Sequence, residues 1–242
     1  MTEDRTGNAL DVMAGLPSVD LNCDMGELED AAHEAALMQY ITSANIACGA
    51  HAGNEAVMER TSRLALERGV RIGAHPGYPD LANFGRVEMP MSEAEIEDTV
   101  WRQIERLEAV VRRLGGEIVH VKPHGALYNV AVKNEAVARA IARGVRQWNP
   151  AATIFGLAGS RMLEWWAEMG LATAAEGFAD RRYEPDGTLR SRKFPDALIT
   201  DPEAAAAQAL RLAREGVAQT ICVHGDTPGA IEILKACREA LR

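Results

Sequence analysis

Four short segments of the sequence combine histidine with glycine, and each follows an apolar run that predicts a β-strand. Glycine lets the backbone approach a ligand closely, and proline fixes the path of a loop. Four such loops predict a preorganised site in which backbone N–H groups face a small molecule. The segments are ACGAHAGN (47–54), GAHPGYPD (73–80), VKPHGALYN (121–129) and VHGDTPGA (223–230).

Candidate functional residues cluster at the ends of these predicted strands, where parallel α/β folds bind their ligands. Lysine and arginine there suit anionic groups, although a surface ion pair explains Arg181 and Arg182 almost as well. His33 is expected to face solvent, and His120 to be a hydrogen-bonded core residue. The candidate catalytic residues are Asp24, His51, His75, Lys122, His124 and Asp226, and the candidate substrate-binding residues are Asn22, Asn45, Glu176, Arg181, Arg182 and His224.

Lys122 is expected to point into the site, because Val119 and Val121 of the same strand should point outward. Pro123 should stiffen the chain behind it. The lysine would then lie near the carboxyl rim, free to neutralise an anion. Its replacement by methionine should leave folding intact and lower the reaction rate.

The elements that position these residues alternate regularly between short strands and long helices. Seven strands are predicted, at 19–23, 43–47, 71–74, 118–121, 153–156, 172–175 and 220–223. Helix starts are indicated at Asn54, Ser92, Asp201-Pro202 and Thr227-Pro228, and helix ends at Gly69, Gly115, Gly144, Gly170 and Gly216. The alternation predicts an α/β fold, a TIM-like seven-stranded (β/α) barrel spanning one domain over residues 19–242. An open doubly wound sheet is the alternative, and residues 1–18 are predicted to be a loose extension.

Alternation within the strands predicts which side chains point into the barrel. In the first strand Asn22 and Asp24 share a face opposite Leu21 and Cys23. Other strands repeat this separation of polar and apolar residues. The apolar faces should meet the helices, and so many polar groups on the inner face favour a binding cavity over a filled core.

Composition narrows the classes of function. The net charge is −9 with scattered basic residues, which argues against a nucleic-acid or anionic-membrane surface. The four cysteines lack CxxC spacing and no apolar run could span a membrane, so we expect a cytoplasmic protein with reduced thiols. A small-molecule substrate fits these features best.

Longer stretches in the same order along residues 19–241 resemble the LamB/YcsF family, whose better-characterised members are the A subunits of 5-oxoprolinase. They include VDLNCDMGE (19–27), ITSANIACGAHAGN (41–54), RIGAHPGYPDLANFGR (71–86) and EGFADRRYEPDGTL (176–189). The resemblance implies a barrel related to the glycoside hydrolase and deacetylase fold. It also implies ATP-dependent opening of 5-oxoproline to L-glutamate, with ATP bound as its Mg complex, in a complex with two further subunits, B and C.

Two other functions remain open from the residues. Asp24, His51 and His75 are an acceptable ligand set for a divalent metal, which would suit a metal-dependent amidohydrolase or deacetylase that needs no ATP. A metal-free site in which Asp24 orients a histidine base is favoured, because ATP-dependent chemistry does not require a hydrolytic metal. The chain could also be a non-catalytic subunit that binds 5-oxoproline or organises the complex. No GxxxxGK[ST] motif occurs, so any nucleotide site is unconventional or lies partly on a partner.

Overall fold

The computed structural model describes residues 19–28 and 30–242, so the predicted extension at 1–18 lies outside the described residues. The strands are β1 (Asp20–Met25), β2 (Ser43–Ala47), β3 (Arg71–His75), β4 (Ile118–Val121), β5 (Thr153–Leu157), β6 (Ala172–Phe178) and β7 (Thr220–Cys222). The helices are α1 (Ala31–Leu37), α2 (Glu55–Arg68), α3 (Glu93–Arg113), α4 (Gly125–Lys133), α5 (Glu135–Trp148), α6 (Arg161–Glu168), α7 (Pro202–Arg214) and α8 (Ala230–Ala240).

In this described part of the chain the seven strands are parallel and close into a TIM-like barrel in chain order. Strand β7 pairs with β1, where Asn22 lies opposite Cys222, and this pairing excludes the open doubly wound sheet. The predicted seven-stranded barrel is therefore confirmed. Strands β1 and β6 run two and three residues further than predicted, so Asp24 and Glu176 belong to strands rather than to loops.

The interior of the barrel is polar and its outer surface is apolar, as the alternation predicts. Asn22, Ser43 and Asn45 are fully buried inside, whereas Leu21 and Ile46 are buried against the helical layer. The interior also has one position that requires a missing side chain. A Cβ on Gly73 would lie 2.0 Å from His120 Nε2, so glycine makes room for the imidazole inside the barrel.

Most of the helix starts and ends predicted from sequence are confirmed. Asn54 and Asp201 accept hydrogen bonds from the first turns of α2 and α7, and Ser92 with Glu95 forms a capping box on α3. The start predicted at Thr227 is wrong, because α8 begins at Ala230 after Gly229. The Thr227 hydroxyl instead donates to Asp180 Oδ2 at 2.5 Å.

The helix end predicted at Gly144 is also wrong. Gly144 lies inside α5, where a Cβ would approach the Glu97 carbonyl oxygen of α3 to 2.6 Å and Val100 Cβ to 3.1 Å. Glycine here allows α3 and α5 to pack closely, so its role is tertiary contact rather than helix termination. No helix among residues 19–28 and 30–242 combines the length and the apolar character needed to cross a membrane.

We predict that Gly144→Ala destabilises the protein by about 1–3 kcal/mol, because the new methyl group must push α3 and α5 apart. Alanine has the higher helix propensity, so the sign of the effect separates packing from propensity. Gln147→Ala, on the exposed face of the same helix, is the control and should change stability by less than about 0.5 kcal/mol. Urea unfolding measures both, and a stabilised Gly144→Ala would contradict the close approach.

Candidate active site

A cavity of about 740 Å³ opens at the carboxyl ends of the strands. This volume lies within the range of typical small-molecule sites. Leu157 and Phe178 form an apolar part of its wall. The predicted site residues that line it are Asp24, His75, Lys122, His124, Arg181 and His224.

Asp24 and Lys122 form a buried ion pair at the base of the cavity. Lys122 Nζ lies 2.8 Å from Asp24 Oδ1 and 2.9 Å from Glu176 Oε1, and all three side chains are almost inaccessible. Burial lowers the pKa of Lys122, but the charges of Asp24 and Glu176 outweigh it and hold the pKa well above its usual value. Lys122 is therefore a cation that two carboxylates already neutralise, which corrects the expectation of a lysine free to bind an anion.

Asn22, Asn45 and Glu176 lie beneath this ion pair. Asn45 Nδ2 donates to Asn22 Oδ1 at 2.8 Å and to Asp24 Oδ1 at 2.9 Å, while Asn22 Nδ2 donates to Glu176 Oε1 at 3.2 Å. His120 completes this layer by hydrogen bonding to Asn45 Oδ1 at 2.8 Å, and burial lowers its pKa to about 3. All of these groups are fully buried, so they position the ion pair rather than reach into the cavity.

Three histidines surround one carboxylate oxygen beside the ion pair. Glu27 Oε1 lies 3.0 Å from His51 Nε2, 3.2 Å from His124 Nδ1 and 3.6 Å from His75 Nε2. The rings of His51 and His124 stack with their centroids 3.7 Å apart. This cluster of four residues could hold a metal ion. The set predicted from sequence shares His51 and His75 with this group, whereas Asp24 Oδ2 approaches it only through His75 Nε2 at 3.4 Å.

The surroundings of these groups set their charges. Burial raises the pKa of Asp24, but the charges of His75 and Lys122 outweigh it, so the pKa is well below its usual value. For His75 burial lowers the pKa, yet the Asp24 carboxylate outweighs burial and the pKa is raised. Burial and the charge of His124 lower the pKa of His51 to about 4. The Asp24 carboxylate is thus ionised at neutral pH.

Arginines border the mouth of the cavity. Asp226 lies at this rim rather than in the cavity, and it accepts from Arg86 Nη2 at 2.5 Å and from Arg192 Nη1 at 3.1 Å. Arg181 is buried, lines the cavity and donates from Nη2 to the Arg190 carbonyl oxygen at 2.6 Å. Burial and the charge of Arg192 lower its pKa to about 10, so it remains a cation. The side chain of Arg182 is exposed and does not line the cavity.

His224 is held by a carboxylate behind the cavity wall. Asp180 accepts from the His224 backbone N–H at 3.0 Å and lies 3.0 Å from its Nδ1. His33, expected to face solvent, instead contacts the carbonyl oxygen of Gly225 through Nε2 at 3.1 Å. Both contacts fix the loop that follows β7.

A model of the LamB/YcsF family matches residues 19–242, which is the whole described barrel. The chain belongs to this family. The 5-oxoprolinase A subunit of Chloroflexus aggregans is 50% identical over 239 residues, covering 93% of this chain and 95% of the relative. The corresponding 5-oxoprolinase A subunit of Bacillus licheniformis is 46% identical, covering 93% and 94%.

A solved structure supports the same family fold. The lactam utilization protein of Thermus thermophilus superposes with a TM-score of 0.86 at 40% identity, covering 93% of this chain and 96% of that protein.

Two acidic residues of this LamB/YcsF site, Glu27 and Asp180, are expected from sequence to lie at strand ends but are not among the candidate catalytic or substrate-binding residues. Glu27 lies in the loop after β1, and Glu34 of α1 holds that loop by accepting from the backbone N–H of Gly26 at 2.6 Å and of Glu27 at 3.2 Å. Asp180 lies shortly after β6. The sequence indicates these two residues only by their position, since both follow strands within family-like motifs. Which carboxylate meets which histidine depends on how the barrel closes.

We predict that Lys122→Met destabilises this LamB/YcsF chain by about 3–5 kcal/mol, contrary to the expectation from sequence that it leaves folding intact. The reason is that Asp24 and Glu176 would remain buried without a counter-charge. The double variant Lys122→Met/Asp24→Asn should recover part of that loss, since it removes one of the two orphaned charges. Denaturant unfolding of both variants measures the coupling. Strictly additive effects, or a Lys122→Met protein as stable as the wild type, would contradict the buried pair.

Proposed function

We propose that this chain is the A subunit of a 5-oxoprolinase, which hydrolyses 5-oxo-L-proline to L-glutamate coupled to ATP hydrolysis together with subunits B and C. The observation that carries the proposal is a cavity with a buried arginine on its wall and the Asp24–Lys122 pair at its base. Relatives named as the A subunit of 5-oxoprolinase align with almost the whole chain that builds this cavity.

The chemistry of the cavity suits a small cyclic amide that carries a carboxylate. Arg181 Nη2 is held by a backbone carbonyl, and its Nε is buried without a partner among the described residues. A planar guanidinium fixed in this way suits a carboxylate, which accepts two parallel hydrogen bonds. Phe178 and Leu157 offer apolar contact to the ring. Arg181 is therefore our substrate-binding residue, with His224 beside it, whereas exposed Arg182 is not.

ATP makes the ring amide reactive. The lactam nitrogen donates electrons into its carbonyl, and phosphoryl transfer to the lactam oxygen would make the carbon electrophilic. Water would add to that carbon, and the ring C–N bond would break as the nitrogen takes up a proton. The resulting acyl phosphate would be hydrolysed by a second water to L-glutamate and phosphate.

Ionised Asp24, with His75 and His124 on the same wall, suits activation of the water that adds to the ring carbon. Arg86, Arg192 and Lys193 at the mouth suit the phosphates of ATP bound with Mg. In this scheme Lys122 keeps Asp24 ionised, and His51 and Asp226 support groups that line the cavity.

The need for partner subunits follows from how ATP would be bound. The sequence has no phosphate-binding loop of the GxxxxGK[ST] type, so we propose that subunits B and C supply most of the ATP site. The four cysteines are free and buried. Reduced thiols agree with a cytoplasmic location for the complex.

A second function has its own supporting observation. The cluster of Glu27, His51, His75 and His124 would serve a metal-dependent amidohydrolase that opens a lactam without ATP. Glutamate formation by this chain alone, dependent on a divalent metal and unaffected by ATP, would support that alternative. Glutamate formation that requires ATP supports the 5-oxoprolinase.

We predict that the purified chain alone releases little glutamate from 5-oxoproline and ATP, whereas co-purification with the products of its neighbouring genes restores ATP-coupled turnover. The physical reason is the missing phosphate loop. Coupled measurement of glutamate and ADP tests this, with each subunit omitted in turn as the control. Full ATP-coupled turnover by the isolated chain would refute the need for partners.

We predict that Arg181→Gln, assayed in the assembled complex, raises KM for 5-oxoproline by roughly 30-fold or more, the effect of losing a buried charged contact worth about 2 kcal/mol or more. Arg182→Gln is the matched control, since it removes the same charge one residue away on the exposed surface, and it should leave KM within about twofold. Arg181→Lys tests the planar geometry and should rescue poorly. Equal effects of Arg181→Gln and Arg182→Gln would contradict the assignment.

A further inference from the structure

Two backbone carbonyl oxygens determine which ring nitrogens of His75 and His124 carry hydrogen. His75 Nδ1 lies 2.7 Å from the Lys122 carbonyl oxygen, and His124 Nε2 lies 2.8 Å from the Phe84 carbonyl oxygen. A carbonyl oxygen only accepts, so each of these nitrogens must donate. In the neutral rings, His75 Nε2 and His124 Nδ1 are therefore bare acceptors.

These two acceptor nitrogens face each other and a third acceptor, a carboxylate oxygen of Glu27. His75 Nε2 and His124 Nδ1 lie 3.0 Å apart. Glu27 Oε1 lies 3.6 Å from the first and 3.2 Å from the second. Three mutually facing electron pairs in a buried site repel one another unless a cation lies among them. A single added proton satisfies one of these contacts, whereas a metal ion satisfies all of them.

The fourth residue of the cluster, His51, supports these ligands from outside. Its ring is parallel to that of His124 with the centroids 3.7 Å apart, and the in-plane lone pairs of two parallel rings cannot meet at one ion. His51 Nε2 lies 3.0 Å from the same Glu27 oxygen. Ligands about 2.0–2.1 Å from a tetrahedral ion lie roughly 3.3–3.4 Å from one another. The contacts among Glu27, His75 and His124 are 3.0, 3.2 and 3.6 Å, which is close to that spacing. Two imidazoles with one carboxylate are a ligand set of open zinc sites, and they favour zinc and similar transition metals over magnesium, which prefers oxygen ligands. The donors present thus fit a metal of the zinc class.

The surrounding chain holds these rings rigidly. A Cβ on Gly77 would lie 3.0 Å from His51 Nδ1 and 3.1 Å from His124 Cβ. The Gly77 backbone is itself clamped by Gln103, which accepts from its N–H at 3.0 Å and donates to its carbonyl at 2.8 Å. Phe84, whose carbonyl orients His124, has a left-handed backbone with φ 55°. Such strain persists where the surroundings impose it.

We propose that Glu27, His75 and His124 bind one divalent metal ion of the zinc class beside the Asp24–Lys122 pair, and that His51 orients the Glu27 carboxylate. His75 and His124 line the cavity, so the ion would lie next to the bound substrate. Glu27 and His124 are essential to this site, and the carbonyl oxygens of Lys122 and Phe84 act as its outer supports. The proposal concerns binding alone and holds whether or not turnover requires ATP.

Metal content and spectroscopy of the full chain test the site without an activity assay. Protein purified without chelator should contain one zinc-class ion per chain by mass spectrometry. After removal of the ion, zinc at about a hundredfold excess over its Kd should raise Tm by about 5 °C or more, whereas magnesium should not. Cobalt(II) should give the visible absorption of a low-coordinate site with nitrogen ligands.

Variants locate the ion. Glu27→Gln and His124→Asn should lose the cobalt spectrum and the thermal shift, whereas His33→Asn, which alters a histidine outside the group, should keep both. The wild-type cobalt titration decides the matter even if a variant fails to fold. Absence of bound metal together with no cobalt absorption and no zinc-induced shift in the wild type would overturn the proposal, as would an equal stabilisation by magnesium.

Discussion

The buried pair of Asp24 and Lys122 is the interaction on which the rest of the barrel interior depends. Two charges in a dry interior are tolerable only when geometry is good and the remaining polar atoms have partners. Lys122 meets Asp24 and Glu176, and the amides of Asn22 and Asn45 hold the two carboxylates in place. This explains why a barrel lumen that needs only to be filled contains asparagines and a histidine instead of valine and leucine.

Charge balance connects this layer to the residues above it. One lysine faces two carboxylates, and Glu27 adds a third close by. The excess of negative charge favours a cation near His75, whose pKa is raised by Asp24 despite burial. A metal ion among the histidines would meet the same demand. The single electrostatic requirement therefore accounts both for the ionised Asp24 and for the imidazoles gathered around Glu27.

In the proposed reaction, substrate recognition and chemistry would occupy different heights of the same cavity. Arg181 and the arginines around Asp226 lie on the wall and at the rim, whereas Asp24 and Lys122 lie at the base. A small anionic lactam bound to Arg181 would leave the mouth accessible to a phosphate group delivered from a partner protein. This arrangement agrees with a family whose relatives are named as one subunit of a larger enzyme.

The sequence by itself determined the seven-stranded barrel, the inward face of each polar strand and six of the side chains that line the cavity, because alternation and strand ends are local patterns. Only the tertiary structure decided which side chains contact one another. Glu27 meets His51, His75 and His124 only when β1 to β4 lie side by side. Lys122 is neutralised only because β6 brings Glu176 across the lumen. Gly144 allows a close contact between two helices and does not end a helix. Arg181 and Arg182 are identical in type and adjacent in sequence, and only the path of the chain after β6 turns one inward and leaves the other in solvent.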